Sequence, residues 1–219
     1  MTSPNIEEGL VYVSAGRVTL EGNLLIPDGA RGLVMFAHGS GSSRFSSRNR
    51  YVADVLRRSG VGTLLIDLLT RDEESVDLRT AHLRFDIGLL ADRLVGASEW
   101  LAKQSETMRM KLGLFGASTG GGAALVAAAR VPERIHAVVS RGGRPDLAGP
   151  ALPAVQAPTL LIVGGDDGPV IGMNQEAYDQ MSCGRQMVIV PHASHLFEEP
   201  GTLEEVARLA AEWFTRHLA

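Results

Sequence analysis

The chain has 219 residues, 45% of them hydrophobic and 21% charged, with a mass of 23.3 kDa and a mean hydropathy of +0.06. That balance suits one globular domain over residues 1–219, able to bury about 70% of its unfolded surface, and excludes disordered and membrane-spanning classes. Lys and Arg number 21 against 25 Asp and Glu, a net charge of −4, so there is no basic field to draw in nucleic acid or an anionic membrane.

Short apolar runs around Val11, Val13, Val18, Leu20 and residues 24–26 are broken at Ala15-Gly16 and at Pro27-Asp28-Gly29. They predict an amino-terminal antiparallel hairpin. Beyond it the pattern changes. Residues 33–37, 61–66, 112–115, 137–140, 159–163 and 187–190 are continuous apolar runs, as a parallel sheet covered on both faces requires. Helical spacing lies between them, at Tyr51, Val52, Val55 and Leu56, at Ile87, Leu90, Leu94 and Leu101, and over the small residues 123–129. The last helix carries Leu203, Val206, Ala210 and Trp213 on one face, with Thr202 and Glu205 spaced as a capping box. The fold class is therefore α/β, a three-layer sandwich with a mostly parallel sheet. The connection from Ser140 to Pro158 is too short for a cap domain, so an open pocket is expected.

Three smaller readings limit the chemistry. Cys183 is the only cysteine, so the chain builds no internal disulfide and no thiolate zinc site. The first ten residues carry Glu7 and Glu8 and lack the cationic and apolar segments of a signal peptide, and a cytoplasmic location is expected. The uncharged stretch 112–129 holds five glycines with Ser118 and Thr119, which reads as a buried strand and helix rather than a membrane span.

Reactive groups in open α/β sheets collect beyond the carboxyl ends of the strands. There the strand 112–115 runs into Gly116-Ala117-Ser118-Thr119-Gly120-Gly121-Gly122 and an alanine-rich helix. A serine presented at a sheet edge needs a sharp strand-to-helix turn with small neighbours two residues either side. Gly116 and Gly120 supply them for Ser118, and the helix that follows turns its free N–H groups toward developing negative charge. A phosphate-binding loop would need Gly-Lys-Ser/Thr, and a dinucleotide site an acid about twenty residues on, where this chain has Arg141. Neither is present.

With this elbow the sequence resembles the α/β-hydrolase superfamily, and within it the small lidless members related to dienelactone hydrolase. The resemblance spans nearly the whole chain. The family's Gly-x-x-Asp-x-x-Val spacing falls on Gly164, Asp167 and Val170, which implies Asp167 as the acid, with Asp166 as a fallback and Asp146, one strand earlier, as a second choice. Its histidine, placed before the final helix, falls on His195 in Val190-Pro191-His192-Ala193-Ser194-His195. The order serine, acid, histidine is the one this fold uses. His38-Gly39-Ser40-Gly41 resembles the family's oxyanion loop, which implies the N–H groups of Ser40 and Thr119 as oxyanion donors and His38 as a residue holding the loop.

The resemblance implies a serine carboxylesterase for small, short-acyl esters, with no cofactor and no metal. His192 and His195 are three residues apart but lack further ligands nearby. Gly41, Arg141 and His192 are candidate substrate contacts. Arg141 and Arg144 could meet a substrate carboxylate, or pair with Asp146. The family's namesake uses a cysteine nucleophile where this chain has Ser118, so lactone specificity does not transfer with the fold. A cofactor-free haloperoxidase or perhydrolase, a lactone hydrolase and a non-catalytic ligand-binding protein are the alternatives. The sequence sets no oligomeric state.

Overall fold

The computed structural model describes residues 8–219, so most of the leader-peptide reading, Glu7 included, lies outside the described residues. β1 (Gly9–Ala15) and β2 (Val18–Leu25) form the expected hairpin. It turns at Gly16, whose φ of 66° is a left-handed value that glycine adopts without strain. The six apolar runs become β3 (Gly32–Ala37), β4 (Gly62–Ile66), β5 (Lys111–Ala117), β6 (Ile135–Arg141), β7 (Thr159–Gly164) and β8 (Arg185–Val190). All eight strands make one sheet in the order β1-β2-β4-β3-β5-β6-β7-β8. β2 pairs antiparallel with β4, and β4 through β8 pair in parallel.

Both faces of the sheet are covered, which is why the parallel strands read as unbroken apolar runs. On one face α1 (Ser47–Arg58) and α6 (Thr202–Leu218) pack Val52, Leu56, Val206 and Phe214 against Val34, Phe36, Phe115 and Val139. On the other, α3 (Ile87–Leu101) and α4 (Thr119–Arg130) set Leu90, Leu94, Leu125 and Ala128 against Met35, Leu114, Val138 and Leu161. α5 (Gly168–Gln180) joins this second layer through Ala177. Among the described residues no helix is long and apolar enough to cross a membrane.

Register positions the site. Ala37 pairs with Gly116, Gly116 with Ser140, Ser140 with Leu161, and Gly164 with Val190. The carboxyl ends of β3, β5, β6, β7 and β8 therefore line up along one edge, and the loops that leave them hold every candidate residue from Ser40 to His195. In place of a cap, residues 145–154 form two short 3-10 turns kinked at Gly149.

Two helices lie where hydrophobic spacing predicts none. α2 (Arg71–Thr80) buries only Asp77, and α5 buries Val170, Asn174 and Ala177, so neither writes an apolar stripe. The capping box expected at Thr202 does not form. Gly201 is the N-cap, the Thr202 hydroxyl donates to Glu199 O at 2.7 Å, and Glu205 is held by two bonds from Arg208. The capping box that does form is Thr70 with Glu73, at the start of α2.

Candidate active site

Between β5 and α4, Ser118 sits at φ 50° and ψ −122°, a conformation costly for a residue with a side chain and kept only where its surroundings fix it. They do so closely. Ser118 N–H donates to Arg141 O at 3.3 Å, and Ser118 O accepts from Gly121 N–H at 2.9 Å and Arg144 N–H at 3.0 Å. The flanking glycines cannot be replaced: a Cβ on Gly116 would stand 2.5 Å from Gly120 O, and one on Gly120 would collide with Ala37 O. The turn presents Ser118 half-buried, while Thr119 at the start of α4 is buried.

His195 follows β8 in a loop with two left-handed residues, His192 at φ 59° and Phe197 at φ 57°. Buried Phe197 anchors it, and Ser194 N–H donates to Glu199 Oε2 at 3.0 Å. Bonds from the Ser194 N–H, and from the Ser194 hydroxyl, hold the Glu199 carboxyl below its usual range. His195 Nδ1 lies 2.7 Å from Asp167 Oδ2, and the Asp167 side chain is 12% exposed. The other two candidate acids stand apart: Asp166 is exposed, and Asp146 takes two bonds from Arg144, at 2.9 and 2.7 Å. No hydrogen bond joins the Ser118 hydroxyl to His195. The two residues flank the same corner of the backbone, because Arg141 O accepts from Ser118 N–H and a Cβ on Gly142 would stand 3.6 Å from His195 Nδ1.

The loop after β3 faces this corner. A Cβ on Gly39 would lie 3.1 Å from Ser118 Cβ. The Ser40 and Thr119 N–H groups donate to no other group among the described residues, and both residues line one pocket with His38, Gly41, Asp67, Glu74, Leu78 and Arg84. His38 Nε2 accepts from Leu68 N–H at 3.2 Å, which puts the proton on Nδ1, and Nδ1 donates to Gly39 O at 3.0 Å. Burial pushes this imidazole below its ordinary pKa, against the raising effect of the bond to Gly39 and of Asp67 and Glu74, so the neutral form holds the loop to the end of β4. Arg44 fixes the loop's far end, donating to Asn23 Oδ1 at 3.0 Å, to Glu21 Oε2 at 2.7 Å and to the Asp67 carboxylate.

α2 and a 3-10 turn (Leu83–Phe85) form the pocket's outer wall. Asp77 accepts from the Leu83 and Arg84 N–H groups at 2.8 and 3.1 Å and from Arg84 Nε at 2.5 Å. Burial works to raise the Asp77 carboxyl, but the Arg84 side chain and these two N–H groups together keep it below its usual range. Arg84 Nη1 is directed at the loop after β3, 3.4 Å from where a Cβ on Gly41 would be.

The remaining candidates separate. Gly41, with φ 71°, lies in the pocket lining, and His192 is exposed to solvent. Arg141 turns inward: it is 5% exposed, donates to Asn49 Oδ1 at 3.3 Å and lies 5.8 Å over the Phe197 ring. Desolvation, with Arg48 nearby, lowers its pKa to about 10. The Cys183 thiol is pushed up by burial and lies against Thr159 at the amino-terminal ends of β7 and β8, the opposite end of the strands from the serine. Asp77, Arg84, Glu199, Asn49 and Asn174 carry no local sequence signal, and their roles emerge only where distant segments meet.

The dienelactone hydrolase family model matches residues 20–218. The chain belongs to the dienelactone hydrolase family. It is 65% identical to a dienelactone hydrolase from Anabaena variabilis, covering 98% of this chain and 99% of that one at a TM-score of 0.96. Est1E from Butyrivibrio proteoclasticus shares the fold, with a TM-score of 0.79 at 16% identity over 95% of this chain and 98% of that one. Two Mycobacterium tuberculosis proteins, whose name proposes a phosphoribosyl transferase, are each 56% identical over 215 residues. Those matches cover 98% of this chain and 48% of each relative, so the chain spans about half the length of these curated relatives.

Proposed function

We propose that the chain is a serine hydrolase of small, short-acyl carboxylic esters that works through an acyl-enzyme. The reading rests above all on the Asp167–His195 pair, 2.7 Å apart, beside a serine held in a strained elbow. In this reading Ser118 Oγ attacks the acyl carbon as its proton passes to His195 Nε2, and Asp167 keeps the other ring nitrogen protonated and stabilises the imidazolium. The carbonyl oxygen becomes an oxyanion facing the Ser40 and Thr119 N–H groups, each donor contributing about 2.7–4 kcal/mol of transition-state stabilisation. The alcohol leaves with the proton from His195. Water then gives a proton to His195, attacks the acyl carbon and releases the acid as the proton returns to Ser118.

The chemistry does not require a Ser118–His195 hydrogen bond in advance, because such bonds often tighten only when substrate is present. The pocket of about 70 Å³ beside the oxyanion loop is lined by Ser40 and Thr119 and by none of the triad residues, and it offers room for a small group next to the two donors.

A lactone is the second reading, since ring opening uses the same steps with the leaving oxygen still tethered. The 65% identical Anabaena variabilis dienelactone hydrolase favours it. We assign the phosphoribosyl transfer in the M. tuberculosis names to the half of those proteins outside the match, because the chain they match over 98% of its length carries the hydrolase family model.

A fluorophosphonate reagent tests the nucleophile. It is expected to label the native protein and to leave Ser118→Ala unmodified, with kcat on nitrophenyl acetate falling about 10⁴-fold or more. Labelling that survives the substitution, or an unchanged rate, overturns the proposal.

A further inference from the structure

One four-residue segment touches two residues of the proposed triad, Ser118 and His195, and is tied to the helix that follows the third. Residues 141–144 leave β6 and wrap the elbow, with Arg141 O and Arg144 N–H bonded to the Ser118 backbone. Gly142 lies against the histidine loop, where a Cβ would stand 2.9 Å from His195 O. Gly143 is tucked over Ser140, whose Oγ a Cβ there would strike. The third link is a side chain. Asn174, fully buried on α5, donates from Nδ2 to Gly143 O at 3.0 Å and to Val170 O at 2.8 Å. α5 begins at Gly168, directly after its N-cap Asp167.

We propose that Asn174 is a positioning residue for the hydrolytic reaction. Its carboxamide ties the helix led by Asp167 to the segment that clasps Ser118, and so keeps the Asp167–His195 pair aligned on the nucleophile. This rests on the triad reading above. The energetics argue against a packing role alone. Asn174 Oδ1 is buried with no partner in the protein, and an unsatisfied buried acceptor costs about 1–3 kcal/mol. A leucine of similar shape would avoid that cost. What the amide supplies in return is the donation to Gly143 O, the one bond between α5 and the elbow's wrapping segment made by this side chain. Small misplacements of this kind reach the chemistry, since an error of about 1 Å can lower a rate about 10²-fold.

Two variants isolate that bond. Asn174→Ser keeps a hydroxyl able to back-bond to Val170 O but is too short for Gly143 O, and Asn174→Leu fills the space without donating. Turnover of a short nitrophenyl ester is measured per active site, with sites counted by fluorophosphonate labelling so that misfolded molecules drop out. Both variants are expected to lose roughly 10- to 100-fold in kcat, with KM within about twofold and labelling slowed in parallel. A per-site kcat within about twofold of the native protein in either variant overturns the inference, whatever happens to thermal stability. If the native protein itself resists labelling, the triad reading fails first and this inference falls with it; native labelling with unaffected variants removes the positioning role alone.

Discussion

Two neighbouring regions are built on different physics: the strand-end region that carries the triad candidates, here the inner wall, and the outer wall, which lines the pocket. The inner wall, from the Ser118 elbow through residues 141–144 to the His195 loop, hangs from the ends of four adjacent parallel strands and is fixed by backbone bonds and close glycine contacts. The outer wall, α2 with the 3-10 turn after it, buries Asp77 and exposes Val76, Leu78 and Phe85. Polar links hold it: the Thr70–Glu73 capping box, Arg93 on Glu73 at 2.5 Å, and Arg84 on Asp77. Chemistry needs atoms held within fractions of an ångström, and rigid strand ends give that. A wall held by side-chain links can change shape without disturbing them. Substitutions on the inner wall are therefore expected to act on kcat and those on the outer wall on KM.

The largest effect is expected at the acid. Asp167→Asn leaves the shape of the inner wall intact but lets His195 take the wrong tautomer, and kcat should fall about 10⁴-fold. Asp146→Asn, which only releases Arg144, should leave kcat within about threefold, in the range of a lost surface ion pair. Steady-state kinetics of the two variants on one ester decide between the acids. An equal loss in both would remove the distinction between the strand ends.

The inner wall was largely legible in the sequence, and the outer wall was not. Strands covered on both faces are apolar at most positions, so β3 to β7 announce themselves, and Gly-x-Ser-x-Gly is local because the elbow's constraint is local. The acid required space as well as order. Asp166, Asp167 and Asp146 look alike along the chain, and only the structure sets Asp167 against His195 and Asp146 against Arg144. Arg141 lies at the expected strand end but points into the interior, toward Asn49, a partner 92 residues away. α2 has no hydrophobic period to detect, because its one inward residue is a carboxylate. The misplaced capping box at Thr202 follows from the same limit: spacing shows that Glu205 could reach back, but not that Arg208 holds it.

His38 lies where the two walls meet, and its protonation offers a graded test. Its pKa is depressed by burial, so the neutral ring is the form the fold favours. Its stabilising contribution is complete above the ordinary imidazole value of about 6.5 and is lost as pH falls through the lower folded value. His38→Leu, which leaves Leu68 N–H without its acceptor, should cost about 1–3 kcal/mol at neutral pH. Urea unfolding of the two proteins across a pH series is expected to give a gap that closes on acidification. A gap that stays constant would mean the ring's charge state does not hold the loop after β3.

The smallest effect is expected on the outer wall, at Asp77. Removing its carboxylate in Asp77→Ala releases Arg84, whose Nη1 is directed at the loop carrying Gly41, and lets α2 drift from the 3-10 turn. None of the bonds that hold Ser118, His195 or the 141–144 segment involves this pair, so kcat should stay within about twofold. KM should rise by roughly fivefold, the equivalent of about one net hydrogen bond. A variant that lost kcat and kept KM would show that α2 shapes the reacting geometry after all, and the two walls would then have to be treated as one structure.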